Sequence, residues 1–99
     1  MRAAASGFDW DDGNRAKCRK YGVSINEIEA LLGGEPNVAP DLKHSAAEDR
    51  LVAIGRNKEG RPLFVAFTFR LKGGQLHIRP VSARYMHAKE VRSYEADRP

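Results

Sequence analysis

Apolar and polar positions alternate over Pro62 to Leu71. Leu63, Val65, Phe67, Phe69 and Leu71 share one parity, and Phe64, Ala66, Thr68 and Arg70 the other. A period of two over this length predicts a strand. Gly73-Gly74 then predicts a tight hairpin into a second strand over Gln75 to Arg84, where Pro80 forces a bulge or an edge position. On the other side, Asn57-Lys58-Glu59-Gly60 reads as a turn. The stretch before it, Asp49 to Asn57, is apolar on both parities in its middle and predicts a strand covered on both faces. Short turns between consecutive strands imply antiparallel pairing.

The period changes to that of a helix elsewhere. Ser24-Ile25-Asn26-Glu27 is a capping box, with Val23 and Ile28 at the staple positions. Ile25, Ile28, Leu31 and Leu32 then make one apolar face, and Gly33-Gly34 followed by Pro36 stops the helix. An earlier, more polar helix is expected from Asp11 or Asp12 to about Tyr21, packing through a narrow stripe that contains Ala16. Phe8 to Asp11 reads as extended, and Asn37 to Asp41 as a short extended piece. A polar loop covers Leu42 to Ala47. His87 to Asp97 predicts a last helix with Ala88, Val91 and Tyr94 on one side. The fold class is α+β: two N-terminal helices packed on a twisted antiparallel sheet, followed by a C-terminal helix.

Composition narrows the function classes. Ninety-nine residues make one domain, with 1–7 and 96–99 expected to fray. With 41% hydrophobic and 30% charged residues, the chain reads as soluble and folded. Its least polar run, Pro62 to Phe69, is far too short to span a membrane. No secretory signal is expected at Met1 to Ser6. The single cysteine, Cys18, excludes an internal disulfide and a Cys-rich zinc site, and suggests the cytoplasm. It reads as a partly buried, unreactive thiol. The sequence has no GxGxxG, GxxxxGK[ST] or HExxH, and its three histidines are scattered. No cofactor and no metal are expected.

The net charge of +4 is unevenly placed. Residues 1–36 carry five basic and six acidic side chains, and residues 37–99 carry twelve and seven. Eight of those twelve are arginines, the residue suited to planar phosphate groups. Three adjacent strands would bring several of them to one sheet face, a cluster that attracts a phosphodiester. Metal-free RNA cleavage needs only a proton acceptor for the 2′-hydroxyl, a proton donor for the 5′-oxygen, and cations on the phosphate. Glu48 or His44 can supply the base. A histidine, or a tyrosine in a basic pocket such as Tyr85, can assist proton transfer. Arg50, Arg70 and Arg84 can hold the phosphate, with Arg79 beside Pro80 in the same set. The alternative is a basic module that docks RNA or a protein partner without cutting.

Several segments, taken in order, carry a resemblance. They are Phe8-Asp9-Trp10-Asp11, Lys20-Tyr21-Gly22-Val23-Ser24, Glu48-Asp49-Arg50, Gly60-Arg61-Pro62-Leu63, Ile78-Arg79-Pro80-Val81-Ser82-Ala83-Arg84, and Glu90-Val91-Arg92-Ser93-Tyr94-Glu95. Together they resemble the BrnT toxins of type II toxin–antitoxin systems. The resemblance implies a RelE-like fold and a metal-independent endoribonuclease that arrests translation. It also implies a BrnA-like antitoxin with a ribbon-helix-helix part, through which the pair binds operator DNA and represses its own operon. Tyr21 stands where the family often has a histidine, and Lys17 where many members have an asparagine.

Overall fold

The computed structural model describes residues 6–41 and 49–96. Elements follow in the order α1 (Asp12–Arg19), α2 (Ile25–Gly33), β1 (Asn37–Pro40), β2 (Leu51–Arg56), β3 (Pro62–Lys72), β4 (Gln75–Tyr85) and α3 (Ala88–Ala96). The four strands form one sheet in the order β1-β2-β3-β4, each pair antiparallel. The architecture is α+β with two helices ahead of the sheet and one after it, as the periodicities predict.

The helices form where their caps are written. Asp11 caps α1 and Ser24 caps α2, each in a reciprocal box, with Asn14 and Glu27 as the returning side chains. Val23 and Ile28, the staple pair, are 1% and 0% exposed. The β3–β4 turn uses Gly73 and Gly74 at φ 59° and 79°, which only glycine adopts in pairs without strain. Leu63, Val65 and Phe67 of β3, all 0% exposed, meet Cys18 of α1 and Ile28, Leu31 and Leu32 of α2 in one core. One parity of β3 is therefore the helix-covered face.

Four expectations are corrected. Asn37–Pro40 is a strand, pairing Asn37 with Ile54 and Pro40 with Leu51, so the sheet has four strands rather than three. All four of its residues are exposed, and so they carry no alternation to read. In β2 only Ala53 is buried, and Val52 and Ile54 are half-buried, so the second face is incompletely covered. Ala16 is exposed, and the buried stripe of α1 is Asn14 and Cys18. Cys18 is fully rather than partly buried, and burial pushes its thiol up to about 11.

Pro80 lies on an edge strand at a bulge. Phe67 pairs with Pro80 and Ala66 with Ser82, which leaves Val81 as the extra residue. The segment before α1 runs along the outer side of β4. Ser6 N donates to Leu76 O at 2.7 Å, Ile78 N to Gly7 O at 2.9 Å, and Asp9 N to Ile78 O at 2.8 Å.

Candidate functional site

The register of the three long strands places the arginines. Leu51 pairs with Phe67, so continuing the pairing by one residue sets Arg50 level with Thr68. The Thr68 hydroxyl donates to the Asp49 carbonyl at 2.8 Å and ties this start of β2 to β3. On its other side Thr68 pairs with Arg79, and Arg70 pairs with His77. Strands β2, β3 and β4 therefore each bring one arginine to the same end of the sheet. Arg50, Arg70 and Arg79 line one open concavity of about 290 Å³, together with Lys17 of α1 and the bulge residues Pro80 and Val81.

The wall formed by α1 is fixed by Asn14. This residue is 4% exposed, and its Nδ2 donates to Pro80 O at 2.8 Å and to Asp9 O at 2.9 Å. A buried amide with such partners costs little, whereas an unpaired one is expensive. The bulge carbonyl is thereby locked to the first turn of α1, and Gly13 and Lys17 come to the rim.

Arg79 is held from two sides. Its guanidinium donates to Asp9 Oδ2 at 3.2 Å and to Asp11 Oδ2 at 2.9 Å, and the side chain is 19% exposed. Burial works against its charge, but the hydrogen bonds and charges of Asp11 and Asp9 outweigh burial and raise its pKa. Asp9 answers in kind. Burial raises its carboxyl, and Lys72 at 3.1 Å and Arg79 together bring it below its ordinary value. Asp11 is lowered by the Asn14 amide first and by Arg79 next.

Arg84 and Tyr85 do not join this group. Arg84 pairs with Phe64 and Tyr85 with Leu63, toward the opposite end of β3. Four to five residues of strand separate them from Arg79, roughly 15 Å. Arg84 donates from both terminal nitrogens to the two oxygens of Glu90 in α3, each at 2.9 Å, and stacks 4.7 Å from the centre of the Phe64 ring. The Tyr85 hydroxyl donates to Glu27 Oε1 and Oε2 at 3.0 and 2.9 Å, and Arg61 lies 3.5 Å over its ring. Burial first and Glu27 next raise its pKa, so losing its proton beside that carboxylate is disfavoured. His44 and Glu48 lie outside the described residues.

Glu27 is the hub of this far end. It also accepts from Asn57 Nδ2 at 2.8 Å and from the Ser24 amide at 3.0 Å. Burial alone would raise its carboxyl. The hydrogen bonds of Asn57, Ser24 and Tyr85 outweigh burial and hold it at about 2. A larger cavity of about 590 Å³ opens beside it, between α2 and the β2–β3 turn.

Sequence reasoning missed Lys17, Asn14, Asp9 and Asp11 as parts of the site. A usable signal was present. Asp9 and Asp11 share parity in an extended segment, and Asn14 stands three residues after a capping aspartate. Only the pairing of that segment with β4 shows which arginine they meet.

The concavity offers four cations and an amide-locked wall with room for a phosphodiester. Comparison with known proteins gives the same direction. No curated protein matches the chain. Residues 10–90 match the family described as the ribonuclease toxin BrnT of type II toxin–antitoxin systems. The match takes in α1, α2, the whole sheet and the start of α3, and the chain therefore belongs to the BrnT family of ribonuclease toxins.

Proposed function

We propose that the chain cuts RNA without a metal, at the concavity between α1 and the ends of β2, β3 and β4. One observation carries the reading: Lys17, Arg50, Arg70 and Arg79 converge on a single depression. Arg50 and Arg70 grip the non-bridging oxygens of the scissile phosphate. Arg79, braced by Asp9 and Asp11, supplies a guanidinium fixed in position on the wall. The 2′-oxygen attacks phosphorus as its proton passes to a base, the bond to the 5′-oxygen breaks, and that oxygen takes a proton. The products are a 2′,3′-cyclic phosphate and a 5′-hydroxyl. Negative charge grows on the equatorial oxygens in the transition state, where fixed guanidiniums bind most strongly. Glu48, two residues before Arg50, is the base we assign, with His44 the second candidate.

Arg50→Ala/Arg70→Ala tests the site. The expected result is at least a hundredfold loss of RNA cleavage with a melting temperature close to the parent's. Cleavage by the parent is expected to survive excess EDTA. A folded double variant that cuts at the parent rate overturns the site. Activity lost to EDTA and restored by magnesium overturns the metal-free chemistry.

The partner we assign is a BrnA-like antitoxin with a ribbon-helix-helix part, and the pair represses its own operon in the cytoplasm. The basic excess after residue 36 suits an acidic partner, with fast and salt-sensitive association. Copurification with a tagged antitoxin in low and moderate salt checks this, and a chain that stays alone in both refutes it.

A further inference from the structure

Arg84 presents the geometry of an anion site that already has an occupant. Its two terminal nitrogens grip both oxygens of Glu90, the fork-on-carboxylate arrangement that a phosphate also fits. The pair is open to water, with Arg84 and Glu90 40% and 36% exposed, so an incoming anion can reach it. Glu90 has a second duty. Its Oε1 accepts from the His87 amide at 3.0 Å, closing the first turn of α3. The same carboxylate thus starts the helix and occupies the arginine.

The start of the helix is largely exposed. Ala88, Lys89, Arg92 and Ser93 are exposed, and Val91 is only half-buried. An open cleft of about 410 Å³ lies between Ala88, Val91 and Arg92 on one side and Arg56, Pro62 and Met86 on the other. Among the described residues that cleft is lined by Arg56 and Arg92 and by no acidic side chain. A cleft carrying two arginines, beside a helix whose first turns are largely exposed and whose Glu90 holds Arg84, is suited to a chain of phosphates.

Resting on the RNA-cleaving reading above, we propose that Arg84 is a second phosphodiester site for the RNA backbone. Glu90 masks it, and the RNA takes it by exchanging a phosphate for the Glu90 carboxylate as α3 swings out. The concavity holds the scissile phosphate, and Arg84 holds a phosphate of the same strand some nucleotides away. Binding of a long strand is then coupled to release of α3, and a fragment too short to reach Arg84 leaves the helix in place.

The test uses the full chain and a 2′-O-methyl RNA oligonucleotide, which lacks the nucleophile and reports binding alone. Glu90→Gln is expected to tighten binding roughly threefold to fivefold, the range of one released surface ion pair. The gain is expected to vanish in Arg84→Ala/Glu90→Gln and to be absent in Glu59→Gln, which changes the charge equally elsewhere. In the parent, RNA is expected to speed amide exchange over residues 88–93. This measurement needs no variant and decides the matter if Glu90→Gln folds poorly. An equal gain without Arg84 or from Glu59→Gln overturns the proposal, as does exchange that stays the same or slows. A gain for polyglutamate but not for RNA assigns Arg84 to an acidic protein and also overturns it. Failure of the concavity reads out separately, as unchanged RNA binding and cleavage in Arg50→Ala/Arg70→Ala.

Discussion

Replacing Glu27 by alanine removes one carboxylate that three elements share. The lost contacts are the Tyr85 hydroxyl at the end of β4, Asn57 Nδ2 in the β2–β3 turn, and the Ser24 amide at the cap of α2. A hydrogen bond to a charged group contributes about 1.5–3 kcal/mol net when buried, and less where water reaches it. The cap bond is exposed and the other two are partly buried. Taking about 1 kcal/mol for each gives roughly 3 kcal/mol. The carboxyl's fall from 4.5 to about 2 sets a second scale, because each unit corresponds to about 1.4 kcal/mol. That scale also gives about 3 kcal/mol, and screening by solvent lowers it toward 2. For a domain of this size the melting temperature should fall by roughly 10–15 °C at pH 7. The sign with pH follows from the depressed folded pKa. The stabilisation is complete above the unfolded value near 4.5 and is lost as pH falls toward about 2. Melting curves of parent and variant at pH 7, 4 and 2.5 should therefore converge. Cleavage measured well below the variant's melting temperature should stay near the parent rate, since Glu27 and Tyr85 lie at the end of the sheet away from Arg50, Arg70 and Arg79. A variant melting within about 3 °C of the parent at pH 7, or a gap that does not shrink in acid, would refute the reasoning.

Two further changes probe the core under α2 and the bracing of Arg79. Gly55→Ala should cost about 1–3 kcal/mol in urea unfolding, because a Cβ there collides with Leu31 Cδ1 in the core. Asp9→Asn should lower cleavage roughly tenfold at a nearly unchanged melting temperature, because Arg79 keeps Asp11 but loses its other carboxylate. Equal cleavage by parent and Asp9→Asn would show that bracing Arg79 is irrelevant to the reaction.

What was legible in the sequence was local. The box from Ser24 to Glu27 and the Gly73-Gly74 turn are each decided by a few neighbouring residues, and both form as read. Strand β1 was not legible, because its pairing with β2 is settled by register with a distant segment and none of its four residues is buried. Asn14 was not legible as a core residue, because an amide is buried only where acceptors await it, and one of them is the carbonyl of Pro80, 66 residues away. The candidate site divides in the same way. Parity and hairpins suffice to bring Arg50, Arg70 and Arg79 to neighbouring positions. They do not reveal how far Arg84 sits from them. Val81 is inserted between the two stretches of β4, so Arg79 and Arg84 pair with Thr68 and Phe64, which share a parity on β3. The bulge thus returns both arginines to a common face, while the intervening strand keeps them apart.

The seven residues from Ser6 to Asp12 explain why this arrangement holds. A sheet edge at β4 exposes unpaired backbone groups, and a cluster of cations at its end repels itself. The segment answers both problems. Ser6, Gly7 and Asp9 exchange backbone hydrogen bonds with Leu76 and Ile78, which covers the edge with a parallel bridge at Phe8. Two residues apart in that extended run, Asp9 and Asp11 reach the same guanidinium, and Asp11 also starts α1. Asp9 in addition meets Lys72. Lys17, Arg50 and Arg70 line the concavity, and Arg79 beside them is held in place by two carboxylates. Removing either aspartate adds net positive charge to the site yet should weaken catalysis, because a guanidinium that is free to move binds a ground-state phosphate as readily as a transition state. A site limited by charge would speed up on losing Asp9, and a site limited by placement would slow, so the direction of that one change distinguishes the two accounts.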